Sequence, residues 1–289
     1  MDYFYLIGSL LCLASTNILG TAYNRKNKGK RGISQIYNLI LVLSALMVWV
    51  VKFIMDRSFD IKVIPYALLF ALSYTVSNYG IINSLRTGSV MLTSLFGQLS
   101  LIVATIWGFF FWGTTFTYLT GIGLVLTAIS IWLCLYSGKS KTKQKTDPKW
   151  FFYVLLLLFG NAGCTIVQKT QQIHFNGEYG SFLMIAAMGA SLVPFFVMYL
   201  GSDKRDTGAV VKGSWYFPVS AGVGNAILNL LVIFLATSSL SPSLIYPALA
   251  IGSLALVTVA SLFIFKEKMR PWQWAGVALG ALATAVLSL

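Results

Sequence analysis

Neutral amides sit where amides are costly in this chain. Asn17, Asn38, Asn78, Gln98, Asn161, Gln168, Asn225 and Asn229 all fall inside long apolar stretches, with Tyr74 and Tyr246 in similar surroundings. An amide moved from water into an apolar medium needs a hydrogen-bond partner or a wet cavity. For any one of them, a bond to a neighbouring helix is the ordinary answer. Asn225 and Asn229, however, share one helix face at i, i+4, and amides on the first, fourth and sixth apolar stretches reach the same depth. A single wet cavity accounts for all of them. Such groups can hydrogen-bond a solute without making or breaking a covalent bond. The candidate substrate-binding set is therefore Asn17, Tyr74, Asn78, Gln98, Asn161, Gln168, Asn225, Asn229 and Tyr246.

The ionisable residues point away from catalysis. The eight acidic residues (Asp2, Asp56, Asp60, Asp147, Glu178, Asp203, Asp206 and Glu267) all fall in loops or at helix boundaries. An intramembrane carboxylate is the usual proton or cation site of a pump, so coupling through a buried acid is not expected. Glu267, between Lys266 and Lys268, reads as a solvated charge. The single histidine, His174, reads with Gln171 and Gln172 as part of an outer loop. Titration near neutral pH gives it a conceivable gating role, and a solvated loop residue is the plainer reading. Lys169 can meet an anionic group, but its place near a helix end suits a side chain that reaches for the interface. Cys12, Cys134 and Cys164 lack metal-ligand spacing and read as small hydrophobes. With no phosphate loop and no nucleophile beside a base, neither cofactor, metal nor enzyme activity is expected.

The elements that must position the amides follow from composition. Hydrophobic residues make up 57% of the 289 and charged residues 10%, against about 25% charged in soluble domains. An integral membrane protein is expected. A spanning helix needs about 20 mainly apolar residues, and ten such runs occur: 3–22, 33–55, 63–85, 89–112, 116–137, 150–172, 179–200, 215–238, 243–265 and 271–289. Most of the 21 Lys and Arg lie in alternate connections, at 25–31, 86, 139–149, 204–212 and 266–270. That asymmetry places those loops in the cytoplasm and both termini outside. The expected location is the plasma membrane, of bacterial inner-membrane type, crossed many times. The net charge of +13 then faces anionic headgroups of the lipid bilayer, and no nucleic-acid partner is expected. A homodimer is possible but not required.

The basic stretch "GKSKTKQKTDPK" (138–149) divides five runs from five. It gives a first repeat at 1–137, a linker at 138–148 and a second repeat at 149–289. Because five is odd, a second copy enters the membrane upside down. "NILGTAYNR" (17–25) and "NAGCTIVQK" (161–169) both run from Asn through Thr, four residues on, to an amide and a cation. "FTYLTGIGLVLTAIS" (116–130) aligns with "PWQWAGVALGALATA" (271–285), and "GSVMLTSLFG" (88–97) with "SPSLIYPALA" (241–250). The fold expected is all-α, with ten transmembrane helices in two inverted five-helix repeats. Asn17 and Asn161 are then expected to approach the midplane from opposite repeats. Trp49, Trp150, Trp215, Trp272 and Trp274 read as interface anchors, and Trp107 as a deeper residue bordering a substrate. Pro194 and Pro247 read as hinges, and "GVALG" (276–280) as a close-packing face against the fifth helix.

The ten-helix layout and the closing "FKEKMRPWQWAGVALGALATAVL" (265–287) resemble the EamA-type branch of the drug/metabolite transporter superfamily. The first half departs from that pattern, with Gly113 and Thr114 where an acid is expected. The resemblance implies a central cavity lined by helices one, three, four, six, eight and nine. It implies transport of a small polar or amphipathic organic metabolite, amino-acid-like or nucleobase-like, by alternating access. A lipid-handling flippase of the same superfamily is the alternative.

Overall fold

The computed structural model describes residues 2–87, 90–135, 148–265 and 271–287. The described residues are all-helical: α1 (Asp2–Lys26), α2 (Ile33–Asp56), a 3-10 turn (Ile61–Val63), α3 (Ile64–Thr87), α4 (Val90–Phe111), α5 (Tyr118–Leu135), α6 (Pro148–His174), α7 (Gly180–Leu200), α8 (Thr207–Ser214), α9 (Tyr216–Ala236), α10 (Pro242–Phe265) and α11 (Pro271–Leu287). The long helices fall where the apolar runs were read, and the short α8 is additional. Five of them (α1, α2, α6 from Lys149, α7 and α9) are long and apolar enough to cross a membrane. The basic segment at 138–147, Glu267 and the side chain of Gln98 lie outside the described residues.

Beside an apolar core, many large apolar side chains face outward and several polar ones face inward. Leu11, Met47, Leu72 and Val193 are exposed on mid-helix faces, while Ser9, Asn38, Gln168, Gln171 and Gln172 are buried. An apolar periphery around polar helix contacts is what a lipid environment demands.

Two antiparallel helix pairs join distant parts of the chain. In the α3–α6 pair, a Cβ on Gly80 would lie 2.5 Å from the Leu157 amide nitrogen, and one on Gly160 2.5 Å from that of Ser77. Only glycine lets the two backbones touch there. The α1–α9 pair runs from Asp2, whose carboxylate accepts from the Ser239 hydroxyl at 2.9 Å, past Thr16 beside Gly224. It ends where Lys26 Nζ donates to the Gly213 carbonyl at 2.8 Å and the Tyr216 hydroxyl at 2.9 Å. Around these pairs α2 packs on α7 and α9, α3 on α7, α4 on α6 and α10, α1 on α10, and α5 on α11. The α5–α11 contact confirms the face expected of "GVALG": Ser130 donates to the Gly276 carbonyl at 2.6 Å.

Loops lock the ends. Asn176 and Tyr179 adopt φ of 50° and 58°, with Gly177 at 84°, and so compress the α6–α7 turn. Between α1 and α2, the Arg31 guanidinium reaches Asp203 at 2.9 Å, and the Arg31 amide donates to Asp206 at 2.9 Å. The Arg31 contact, with the Arg205 amide behind it, holds the Asp203 carboxyl below the usual carboxylate range.

Several expectations fail for one reason: helix ends lie deeper than a single strand of sequence implies. Trp49 and Trp150 are buried at 1% and 8% exposure and do not anchor at an interface. Trp150 donates to Thr93 Oγ1 at 3.0 Å, whereas Trp215, Trp272 and Trp274 are exposed as expected. Gln171 and Gln172 belong to α6, not to a loop, and are buried between helices. Lys169 does not reach for an interface. It is buried, and its ammonium donates to the Ala236 carbonyl at the C-terminus of α9, where a helix dipole favours a cation.

Candidate functional site

The crossing points of the two antiparallel pairs set four asparagines around one cavity. Gly160 lies on Ser77, and the residues that follow them are Asn161 and Asn78. Gly224 lies on Thr16, and the residues that follow them are Asn225 and Asn17. All four line a cavity of about 180 Å³, walled by α1, α2, α3, α4, α6, α9 and α10. Tyr74, Gln168, Asn229 and Tyr246 line it as well, so each described member of the expected set converges here. Six of the seven walls are those the resemblance implied, and α2 joins them through Tyr37 and Leu41.

A hydrogen-bonded chain crosses the site. The Tyr74 hydroxyl donates to Asn225 Oδ1 at 3.0 Å, and Asn229 Nδ2 donates to the same oxygen at 3.1 Å. Gln168 Nε2 donates to the Asn229 carbonyl at 3.2 Å, tying α6 to α9. Asn161 Nδ2 donates to the Gly97 carbonyl at 3.3 Å and the Ser100 hydroxyl at 2.7 Å, tying α6 to α4. Asn78 Nδ2 bonds within its own helix, to the Tyr74 carbonyl at 2.9 Å. Asn38 lies off the cavity, donating to the Asn78 carbonyl at 3.4 Å. The site is thus polar yet uncharged, since no acid or cation is among its lining residues. Among the described residues no cluster of His, Cys, Asp and Glu could hold a metal ion.

Just past one end of the lining lie contacts that sequence reasoning did not anticipate. Trp112 Nε1 donates to Thr170 Oγ1 at 3.2 Å, and its ring centre lies 6.1 Å from that of Tyr246. The Lys169–Ala236 contact lies beside Gln168, which lines the cavity. Trp107, expected to border a substrate, is instead 38% exposed and stacks on Phe111. His174, the last residue of α6, bonds through Nδ1 to the Tyr66 hydroxyl at 2.8 Å, away from the cavity. From Gln168 and Asn229 the lining runs the other way, to Tyr37, Leu85 and Thr93, near the ends where α2 and α4 begin and α3 finishes. Tyr37, Thr16 and Ser77 also line the cavity without having been anticipated. Tyr37 packs against Gly20, where a Cβ would meet its hydroxyl at 3.2 Å, a tertiary contact with no trace in the sequence.

Fold and site together define an all-helical bundle with helices of membrane-crossing length around a neutral polar cavity. No family model matches the chain. An uncharacterized protein of Haemophilus influenzae is 25% identical over 182 residues, which cover 62% of this chain and 60% of that one. The chain therefore matches about 60% of the length of that curated relative. A crystal structure, described simply as that of a protein, is similar with a TM-score of 0.71 over 99% of this chain and 95% of the other, at 13% identity. That likeness concerns the fold alone.

Proposed function

We propose that the chain is a secondary transporter of a small polar or amphipathic organic metabolite, working by alternating access around the central cavity. The observation that carries this reading is the convergence of amides from α1, α3, α6 and α9 on one uncharged cavity. Isolated amides that merely joined helices would have no reason to share a space. A volume of about 180 Å³ is below the ~300 Å³ of drug-sized sites, which favours a solute of amino-acid or nucleobase size.

Two inverted five-helix repeats belong to the same proposal, with membership of the EamA-type drug/metabolite transporters. Packing supports it. When α1–α5 are exchanged with α6, α7, α9, α10 and α11 in order, α1–α9 becomes α6–α3, α2–α9 becomes α7–α3, and α4–α6 becomes α10–α1. The pairs α2–α7, α4–α10 and α5–α11 map onto themselves, and each of these contacts is present. The four asparagines obey the same exchange: Asn17 with Asn161, and Asn225 with Asn78. Ten spans place the Arg31–Asp203 clasp in the cytoplasm. The Trp112–Thr170 contact then lies outside, so the cavity faces inward in a plasma membrane of bacterial type.

Flux of radiolabelled metabolites into proteoliposomes, with Asn161→Leu as control, tests the reading. Transport of at least one solute that falls tenfold or more in the variant is the expected result. A panel with no flux above protein-free vesicles removes it.

A further inference from the structure

For the amides on α3, α6 and α9, hydrogen bonds already made inside the protein decide which end is left for a solute. Asn161 commits both amide hydrogens, to Gly97 and Ser100. Asn78 and Gln168 each donate to a backbone carbonyl. A carbonyl only accepts, so these contacts identify the nitrogen end of each side chain. The α3–α6 wall therefore offers oxygen: Asn78 Oδ1, Asn161 Oδ1 and Gln168 Oε1 have no partner among the described residues. The Thr165 hydroxyl on the same wall gives its hydrogen to the Asn161 carbonyl at 3.2 Å, so it too presents lone pairs.

The opposite wall also offers a donor. Asn225 Oδ1 already accepts twice, from Tyr74 and Asn229. Asn229 is fixed in that orientation because the same nitrogen donates to the Asn225 carbonyl at 2.8 Å. Among the described residues, the hydrogens of Asn225 Nδ2 are thus the donor that α9 leaves uncommitted, beside the acceptor Asn229 Oδ1.

The geometry points to a solute with a primary amino group, met by the oxygens of Asn78 and Asn161, whose acceptor end meets Asn225. This rests on the transporter reading and names its substrate class. An amine or ammonium brings two or three N–H donors to the oxygens of Asn78 and Asn161, which follow the crossing residues Ser77 and Gly160 and line the same cavity. At the other end no cation lines the cavity, so a neutral carbonyl satisfies Asn225 and a carboxylate charge is dispensable. A solute without N–H donors that filled the cavity would displace water from these acceptors without replacing its hydrogen bonds, which is the costly outcome.

The test compares leucinamide with 4-methylpentanamide, which lacks the amino group, and with N,N,N-trimethylleucinamide, which keeps the charge and loses the donors. Binding to the purified full-length chain is read by ligand-induced thermal stabilisation. Leucinamide is expected to bind at least tenfold more tightly than either analogue. Asn78→Leu is expected to weaken it severalfold and narrow the gap, while keeping the fold, because the Asn78 side chain bonds only within its own helix. Equal or tighter binding of either analogue, or binding of none, overturns the inference. Proteoliposome flux separates the two levels. Transport of solutes lacking an amino group, with leucinamide inert, removes the amino-group assignment and leaves the transporter reading standing. Absence of all flux removes both.

Discussion

Lys169 and Gln168 are neighbours on α6 with opposite duties. The Gln168 nitrogen ties α6 to α9 while its oxygen has no partner among the described residues, whereas Lys169 caps the C-terminus of α9 through the Ala236 carbonyl. Lys169→Ala is expected to lower stability by about 1–3 kcal/mol, the cost of a buried carbonyl left without its donor. A fluorescence melt in detergent reads this, and an unchanged midpoint would show that the carbonyl finds water. Gln168→Leu should instead cut solute binding more than it lowers the melting temperature, and paired binding and melting curves check it. The amides were legible in the sequence because polarity inside apolar runs is conspicuous. Lys169 was misread because its partner is a backbone carbonyl 67 residues away, and backbone groups leave no trace in composition.

At the level of elements, the backbone contacts of α3 with α6 are the tightest constraint. Gly160→Val is expected to cost about 1–3 kcal/mol or more, since the added carbons would enter the Ser77 backbone, which cannot swing aside as a side chain can. Thermal unfolding measures it, and Gly189→Ala, with nothing within 4 Å of the added carbon, serves as the neutral comparison. The positions of the long helices were readable from apolar length alone. Their partners were not, because helix pairing depends on which faces carry glycine and serine, and many helices here have both. Trp49 and Trp150 illustrate the limit: a tryptophan near a helix end is an anchor or a core residue according to what packs over it. The eight-residue α8 escaped notice because it is too short to show a period and too polar to read as a span.

For the molecule as a whole, the Arg31–Asp203 clasp couples the α1–α2 connection to the one that follows α7. Its carboxyl titrates below its unfolded value, near 3.9 for an ordinary Asp. The contribution is therefore full above about pH 4 and is lost as pH falls through the lowered value. Hydrogen exchange at residues 28–32 should rise on acidification in the parent chain, and should already be raised at neutral pH in Asp203→Asn. No acceleration in either case would show that the Arg31 amide contact with Asp206 suffices by itself.

The two long helix pairs also set a timetable. The partner of α1 is α9, and the partner of α3 is α6, so the first three helices are synthesised well before anything exists to cover their small-residue faces. Contacts between segments so far apart in sequence close late and slowly. During that interval Gly8 and Gly80 present bare backbone to whatever is nearby, including α1 or α3 of another nascent chain. Biogenesis of this protein is thus most exposed to error between the emergence of α3 and the arrival of α9. Substitutions on either glycine face would then reduce yield in the cell by more than their effect on the finished molecule.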